Sequence, residues 1–161
     1  MMAEQARDTS AGAVIDLSPL QGASIIAINL EGTLISDAIT CTPRPGLRRL
    51  IEVCIFAADE VVILTTTGTD ETRRVLYGLG AKGLLPPGFP SVVRIVEPGT
   101  KRTDLSLVGD PATVAIIDDR DIAVPGQESR LIRIPQFEVE DDDVLSRLAN
   151  AIRAKLPQVS L

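Results

Sequence analysis

The sequence predicts an α/β protein built on an open, mainly parallel, doubly wound sheet with little or no cap domain. Three observations predict it. Five short apolar runs, Ile25 to Ile28, Val61 to Leu64, Val92 to Val96, Val114 to Ile117 and Leu131 to Ile134, lack the polar alternation of half-buried strands and suit strands covered on both faces. Helical patterns give the order strand, helix, strand, helix, strand, strand, strand, helix, with helices expected on both faces of the sheet. Three of the runs end in polar residues, and ligands of such sheets sit beyond the carboxyl ends of the strands.

Taken in order, residues 1 to 20 mix Ala, Gly, Ser, Asp and Gln without periodicity and are expected to be a flexible tail that orders locally around Val14 to Leu20. A single domain is expected from 21 to 161. The first helix is signalled by Thr42, Pro43, Arg44 and Pro45, with Leu47, Leu50, Ile51 and Cys54 following at three-to-four spacing. A second helix should run from about Asp70 to Leu79 and stop at Gly80. The stretch LLPPGFP, Leu84 to Pro90, is expected to be a stiff surface loop. The last helix should start in the acidic run Glu138 to Asp143, whose carboxylates complement a helix N-terminus, and bury Val144, Leu145, Leu148 and Ile152.

Composition narrows the chemistry. With 161 residues, 45% of them hydrophobic and 24% charged, usage is that of an ordinary globular domain. A formal net charge of -6 argues against nucleic acid as a partner, because phosphate-backbone binding rests on clustered Lys and Arg. No run approaches the roughly 18 apolar residues of a membrane span, and residues 1 to 20 carry no signal-peptide pattern. A soluble, cytoplasmic protein is expected. Cys41 and Cys54 read as reduced thiols, Cys54 on an apolar helix face. Histidine is absent, which removes His-based triads, His-ligated zinc and His general bases. Any chemistry must run on carboxylates, hydroxyls, amines and a hard cation.

The strand ends supply such groups. Asn29 follows Ile28; Thr65, Thr66 and Thr67 follow Leu64; Asp118 and Asp119 follow Ile117. Asp and Thr are common where strands end, since they satisfy free backbone groups. Three such ends together, the first followed by a Gly-Thr turn, point to a shared crevice.

These residues, with IIAINLEGTL (25 to 34), TPRPGLRRLIE (42 to 52), EVVILTTTG (60 to 68), TDLSLVGDPATVAIIDD (103 to 119) and IRIPQFEVEDDDVLSRLANAI (132 to 152), resemble the haloacid dehalogenase (HAD) superfamily. The similarity is strongest to its NIF or FCP/SCP-type branch, which contains phosphatases of the RNA polymerase II C-terminal domain. It covers roughly residues 24 to 155. The resemblance implies a HAD-like Rossmannoid fold. It also implies an aspartyl-phosphate mechanism in which a first Asp attacks phosphorus and holds Mg²⁺ while a second shuttles a proton.

Carried over by position, Asn29 stands at the nucleophile and Glu31 at the acid/base. Thr65, Thr66 and Lys101 are the phosphate-binding candidates. Asn29, the Glu31 backbone carbonyl, Asp118 and Asp119 are the expected metal positions. Alignment on Asp104, Leu105 and Ser106 puts Thr103 where the family has Lys, and Lys101 or Arg102 reaches that place only with a shifted loop. An amide is a poor nucleophile and carries no charge for Mg²⁺, and Glu31 sets its carboxyl one methylene further out. Weak Mg²⁺ binding is expected.

Two readings follow: a catalytically impaired HAD-like domain acting as a protein-binding or regulatory module, or a Mg²⁺-dependent phosphatase in which Asn29 is an engineered change. A receiver-like domain fits Asp118 and Asp119 less well. Only seven residues separate Leu34 from Thr42, so the site should be uncapped and suited to another protein as partner. The sequence does not specify the oligomeric state.

Overall fold

The computed structural model describes residues 14–98, 102–138 and 141–157. Five strands, β1 (Ile25–Asn29), β2 (Glu60–Leu64), β3 (Arg94–Val96), β4 (Val114–Asp118) and β5 (Leu131–Arg133), form one sheet in the order β3-β2-β1-β4-β5. Every neighbouring pair is parallel. The chain winds outward from β1 to β3, returns, and winds outward again through β4 and β5. This is the expected doubly wound, Rossmann-like α/β fold, and its order reverses between β1 and β4.

Four helices, α1 (Leu47–Ala57), α2 (Thr69–Ala81), α3 (Phe89–Val92) and α4 (Val144–Lys155), accompany the sheet. The expectation of helices on both faces needs correcting. Ile26, Ile28, Val61, Ile63 and Ile117 pack against buried residues of all four helices, including Leu50, Leu76, Phe89 and Leu148. The opposite side chains, Ala27, Val62, Leu64, Val114 and Ile116, are covered by Leu105, Val108 and Ile122 from the β3–β4 and β4–β5 connections. Those connections carry short 3-10 turns at Leu105–Leu107, Pro111–Thr113 and Glu128–Arg130. Too few apolar residues recur at helical spacing there to sustain a longer helix.

Helix boundaries follow local chemistry. α2 continues past Gly80, because the chain first turns over at Gly83 (φ 75°), where the N–H of Leu84 donates to Leu79 O (3.0 Å) and that of Gly83 to Gly80 O (3.0 Å). That is the paired bonding of a Schellman stop, and glycine at the left-handed position permits it. The LLPPGFP segment is not a surface loop. Leu85, Phe89 and Pro90 are buried, Pro90 sits in the short α3, and Val92 closes that helix, so β3 begins only at Arg94. Arg73 of α2 holds the segment by donating to Pro90 O (2.8 Å) and Val93 O (3.1 Å).

At the N-terminal end, Leu17 lies in the core and Arg130 donates to Pro19 O (2.6 Å), so the packed unit reaches back before residue 21. Residues 1 to 13 of the tail expected over 1 to 20 lie outside the described residues. Both thiols are unbridged, and burial pushes that of Cys54 up to about 12.

The first helix begins at Leu47, later than its Pro-rich signal, because Gly46 just before it takes a left-handed backbone (φ 89°); Arg44, upstream of that turn, is engaged elsewhere. Its side chain is fully buried. Nε reaches both carboxylate oxygens of Asp142 (3.1 Å each), Nη1 donates to Thr33 O (3.2 Å) and Nη2 to Pro135 O (2.7 Å). The guanidinium lies 5.6 Å from the Phe137 ring. Asp142 also accepts from the backbone N–H of Val144 (3.0 Å) at the start of α4, an arrangement that suits the positive end of a helix.

Arg44→Met leaves Asp142 and two carbonyls without their donor. The variant is expected to lose about 3–5 kcal/mol of unfolding free energy, seen as a lower denaturant midpoint. An unchanged midpoint would show that this buried cation contributes nothing to stability.

Candidate functional site

Because β1 pairs with both β2 and β4 in parallel, the three polar strand ends emerge side by side. The order reversal between β1 and β4 is where a doubly wound sheet opens its crevice. Asn29 ends β1 and Asp118 ends β4, both nearly inaccessible at 4% and 1% exposure.

The turn after β1 is tight. Gly32 has φ 76°, and a Cβ there would stand 2.8 Å from Asp119 Oδ2. Glycine therefore serves twice, adopting a left-handed backbone and letting the Asp119 carboxylate lie against the turn. The Thr33 hydroxyl completes the contact: it donates to Asp119 Oδ1 (2.8 Å) and accepts from the Asp119 backbone N–H (3.2 Å).

Asn29 Nδ2 faces three oxygens of this knot, donating to Glu31 O (2.5 Å), Asp119 Oδ1 (3.2 Å) and Thr33 Oγ1 (3.3 Å). A backbone carbonyl and a carboxylate can only accept. Those two partners establish which end of the carboxamide points at them, so the nitrogen is at the centre of the cluster. The Glu31 side chain leaves in another direction, and its Oε1 accepts from the Thr67 hydroxyl after β2.

On the β2 side Thr65 is buried, and its hydroxyl is spent within its own turn. It donates to Thr67 O (3.1 Å), accepts from Thr67 N–H (3.0 Å), and lies 3.0 Å from the hydroxyl of buried Thr72 in α2. Thr66 is exposed at the same strand end. Lys101 lies outside the described residues. Arg102, its neighbour, donates to Ala123 O (2.8 Å). Thr103 is buried, with its N–H on Ile122 O (2.8 Å), as part of the cover over the second sheet face.

The acidic pair divides its tasks. Asp119 joins the β1 turn, whereas Asp118 turns to Arg120, accepting from its backbone N–H (3.0 Å) and approached by its Nε (3.4 Å). Burial pushes Asp118 up to about 6. The Arg120 N–H and guanidinium oppose that rise, and the neighbouring Asp119 carboxylate adds to it.

Mg²⁺ is the cation that the resemblance implies, and these residues do not fit it. A hard cation needs oxygen ligands, yet the group among the Glu31 carbonyl, Asp119 and Thr33 oxygens is an NH₂ directing its protons at them. Among the described residues no three Asp, Glu, Cys or His side chains cluster closely enough to hold a metal ion.

The structure thus brings together Asn29, Glu31, Asp119 and, through Thr67, the Thr65 turn. It gives Thr67, one of the polar strand-end residues, a direct contact with Glu31, and it adds residues to which the sequence assigned no role: Thr33, Thr72 and Arg120. Thr33 had a signal in the Gly-Thr turn itself, since a hydroxyl next to a left-handed glycine can reach back to a strand end. Thr72 and Arg120 had none beyond proximity to a motif.

Asp118 makes stability depend on pH with a defined sign. The folded protein keeps this proton to about pH 6, while the unfolded chain gives it up near 3.8, the ordinary value of an aspartate. Between those values the native state holds more protons, so this group's contribution is present at low pH and is lost as pH rises through about 6. The full effect is on the order of 3 kcal/mol. Asp118→Asn is expected to gain on the parent protein as pH rises from about 4 to 7, as measured by metal-free denaturant unfolding. A constant difference between the two proteins would refute the shift.

No protein-family model matches this chain, and no curated protein matches it.

Proposed function

We propose that this chain is a HAD-like domain of the NIF or FCP/SCP type that binds a protein partner and does not turn over phosphate esters. The observation behind this reading is the direction of the Asn29 amide. At the position of the attacking carboxylate, the side chain donates protons to Glu31 O and Asp119. It offers a delocalised amide where attack on phosphorus needs an oxygen bearing charge.

The second carboxyl position supports the same reading. Glu31 is held across the crevice by the Thr67 hydroxyl, and a proton donor must lie within hydrogen-bond reach of the leaving oxygen. The family resemblance is supported by a buried strand-end threonine at Thr65, the start of α2 beside it and a buried acidic residue at Asp118, although the Thr65 hydroxyl is engaged by Thr67 and Thr72.

Partner chemistry follows from size and charge. The segment between Leu34 and Thr42 is one tight turn, in which Asp37 accepts from the backbone N–H groups of Ile39 (2.8 Å) and Thr40 (2.7 Å). Within residues 84 to 92, Leu85, Phe89 and Pro90 are buried and the short α3 lies against α2. Neither is a cap, and an open crevice admits a loop or tail of another protein. A net charge of -6 favours a basic partner. A cytoplasmic location is part of the proposal; among the described residues no helix is long and apolar enough to cross a membrane.

The test is phosphate release from an aryl phosphate and a phosphoserine peptide with Mg²⁺, comparing the protein with its Asn29→Asp/Glu31→Asp variant. The expected outcome is no turnover by the protein and measurable turnover by the variant. Turnover by the protein itself would overturn the proposal. It would favour the second reading, a Mg²⁺-dependent phosphatase with another nucleophile.

A further inference from the structure

We propose that the Asn29 carboxamide is a built-in substitute for a divalent cation, so that this crevice keeps its shape without metal and does not take up Mg²⁺. The inference rests on the reading above only for the identity of the ion; the geometry is the chain's own.

Consider the oxygens to be held together at the carboxyl ends of β1 and β4. The Glu31 carbonyl and the Asp119 carboxylate are both electron-rich, and each comes within 3.2 Å of one nitrogen, Asn29 Nδ2. Thr33 has a single hydroxyl proton and spends it on Asp119 (2.8 Å), leaving its lone pairs toward the same nitrogen at 3.3 Å. Oxygens converging on one point need positive charge there, from an ion or from N–H protons. Here the point is filled by a covalently attached NH₂ group on a side chain that is 4% exposed.

A metal would have to displace that group. The amide nitrogen is no ligand for a hard cation, and presenting Oδ1 instead would give up the N–H bonds to Glu31 O and Asp119 for one neutral oxygen ligand that brings no charge to the ion. Gly32 adds to the confinement, since its missing side chain leaves Asp119 packed against the turn. Asp118, the other candidate ligand, already accepts from the Arg120 backbone and lies beside its guanidinium. A cation entering the crevice would meet one carboxylate tied to an amide and another facing an arginine.

Replacing Asn29 by Asp reverses the logic. A carboxylate would then face Asp119 and the Glu31 carbonyl with no proton between them, and a divalent cation would relieve the repulsion. The cation requirement is thus switched by one atom pair at position 29.

The experiment is thermal unfolding of the full chain, its Asn29→Asp variant and its Asn29→Leu variant, in EDTA and in Mg²⁺. It is paired with Mn²⁺ line broadening in the amide NMR spectrum of the unaltered protein. The midpoint of the unaltered protein should agree within about 1 °C between the two conditions, since a ligand that does not bind shifts nothing. Mn²⁺ should leave the Gly32 and Asp119 signals sharp.

Asn29→Asp should melt lower in EDTA and recover by roughly 5 °C or more in Mg²⁺. Asn29→Leu, which has neither donor nor charge, should melt lower in both conditions without recovery. Folding of Asn29→Asp only in Mg²⁺ would be the strongest form of support.

A Mg²⁺-dependent rise in the unaltered protein, or broadening at Gly32 and Asp119, would overturn the proposal, as would Asn29→Leu melting with the unaltered protein. If Asn29→Asp fails to fold in either condition, those two readings on the unaltered protein and Asn29→Leu still decide. Phosphate turnover without Mg²⁺ binding would sink the proposed function and leave this inference standing.

Discussion

A buried guanidinium organises this protein. Arg44 has no exposed side-chain surface, and a cation taken out of water must find partners for its five donors. It finds them in three separate stretches of chain: Thr33 O in the turn after β1, Pro135 O after β5, and Asp142 ahead of α4. The turn that carries the site is thereby joined to the last helix, which packs on α1 over the same sheet face. Hydrogen bonds to charged groups contribute roughly 1.5–3 kcal/mol each, against a net stability on the order of 5–15 kcal/mol for a domain. Because the cation also loses its hydration on burial, the large quantity is the cost of removing it and leaving its partners unpaired, about 3–5 kcal/mol.

From that anchor the site follows by short steps. Arg44 holds the Thr33 carbonyl, the Thr33 hydroxyl holds Asp119, and Asp119 together with the Glu31 carbonyl orients Asn29. Each step satisfies a group that would otherwise be buried without a partner. Among the described residues no buried side-chain nitrogen or oxygen lacks one. An amide at position 29 suits this network because it contributes donors where the surroundings offer only acceptors. The arrangement is therefore a self-consistent polar core at the mouth of the sheet, and Asn29 is the residue that makes it so.

Electrostatics distinguishes the two carboxylates that adjoin in sequence. Asp119 is partnered by Thr33 and Asn29 at the turn, whereas Asp118 at the end of β4 is buried enough for desolvation to outweigh the nearby Arg120. Asp118 is the last residue of β4 and Asp119 lies in the bend beyond it, so one carboxyl is buried at the sheet end while the other is hydrogen-bonded into the β1 turn.

Local pattern determined much of this fold. Unbroken apolar runs such as Val114 to Ile117 marked strands covered on both faces, and the three-to-four spacing of Leu47, Leu50, Ile51 and Cys54 marked a helix, because periodicity reports directly on which side chains are buried. The polar strand ends at Asn29, Thr65 and Asp118 were legible for the same reason. What local pattern did not carry was partnership over distance. LLPPGFP reads as a loop from its prolines and glycine, yet Leu85 and Phe89 find a core to enter. The Arg44 side chain, read only as part of a helix signal, meets Asp142 98 positions later in sequence. The direction of the Asn29 amide was set by Glu31 O and an Asp119 side chain 90 positions away. Hydrogen bonds and ion pairs act over a few ångströms whatever the chain separation, so tertiary structure alone decided which polar groups met, and with them the character of the site.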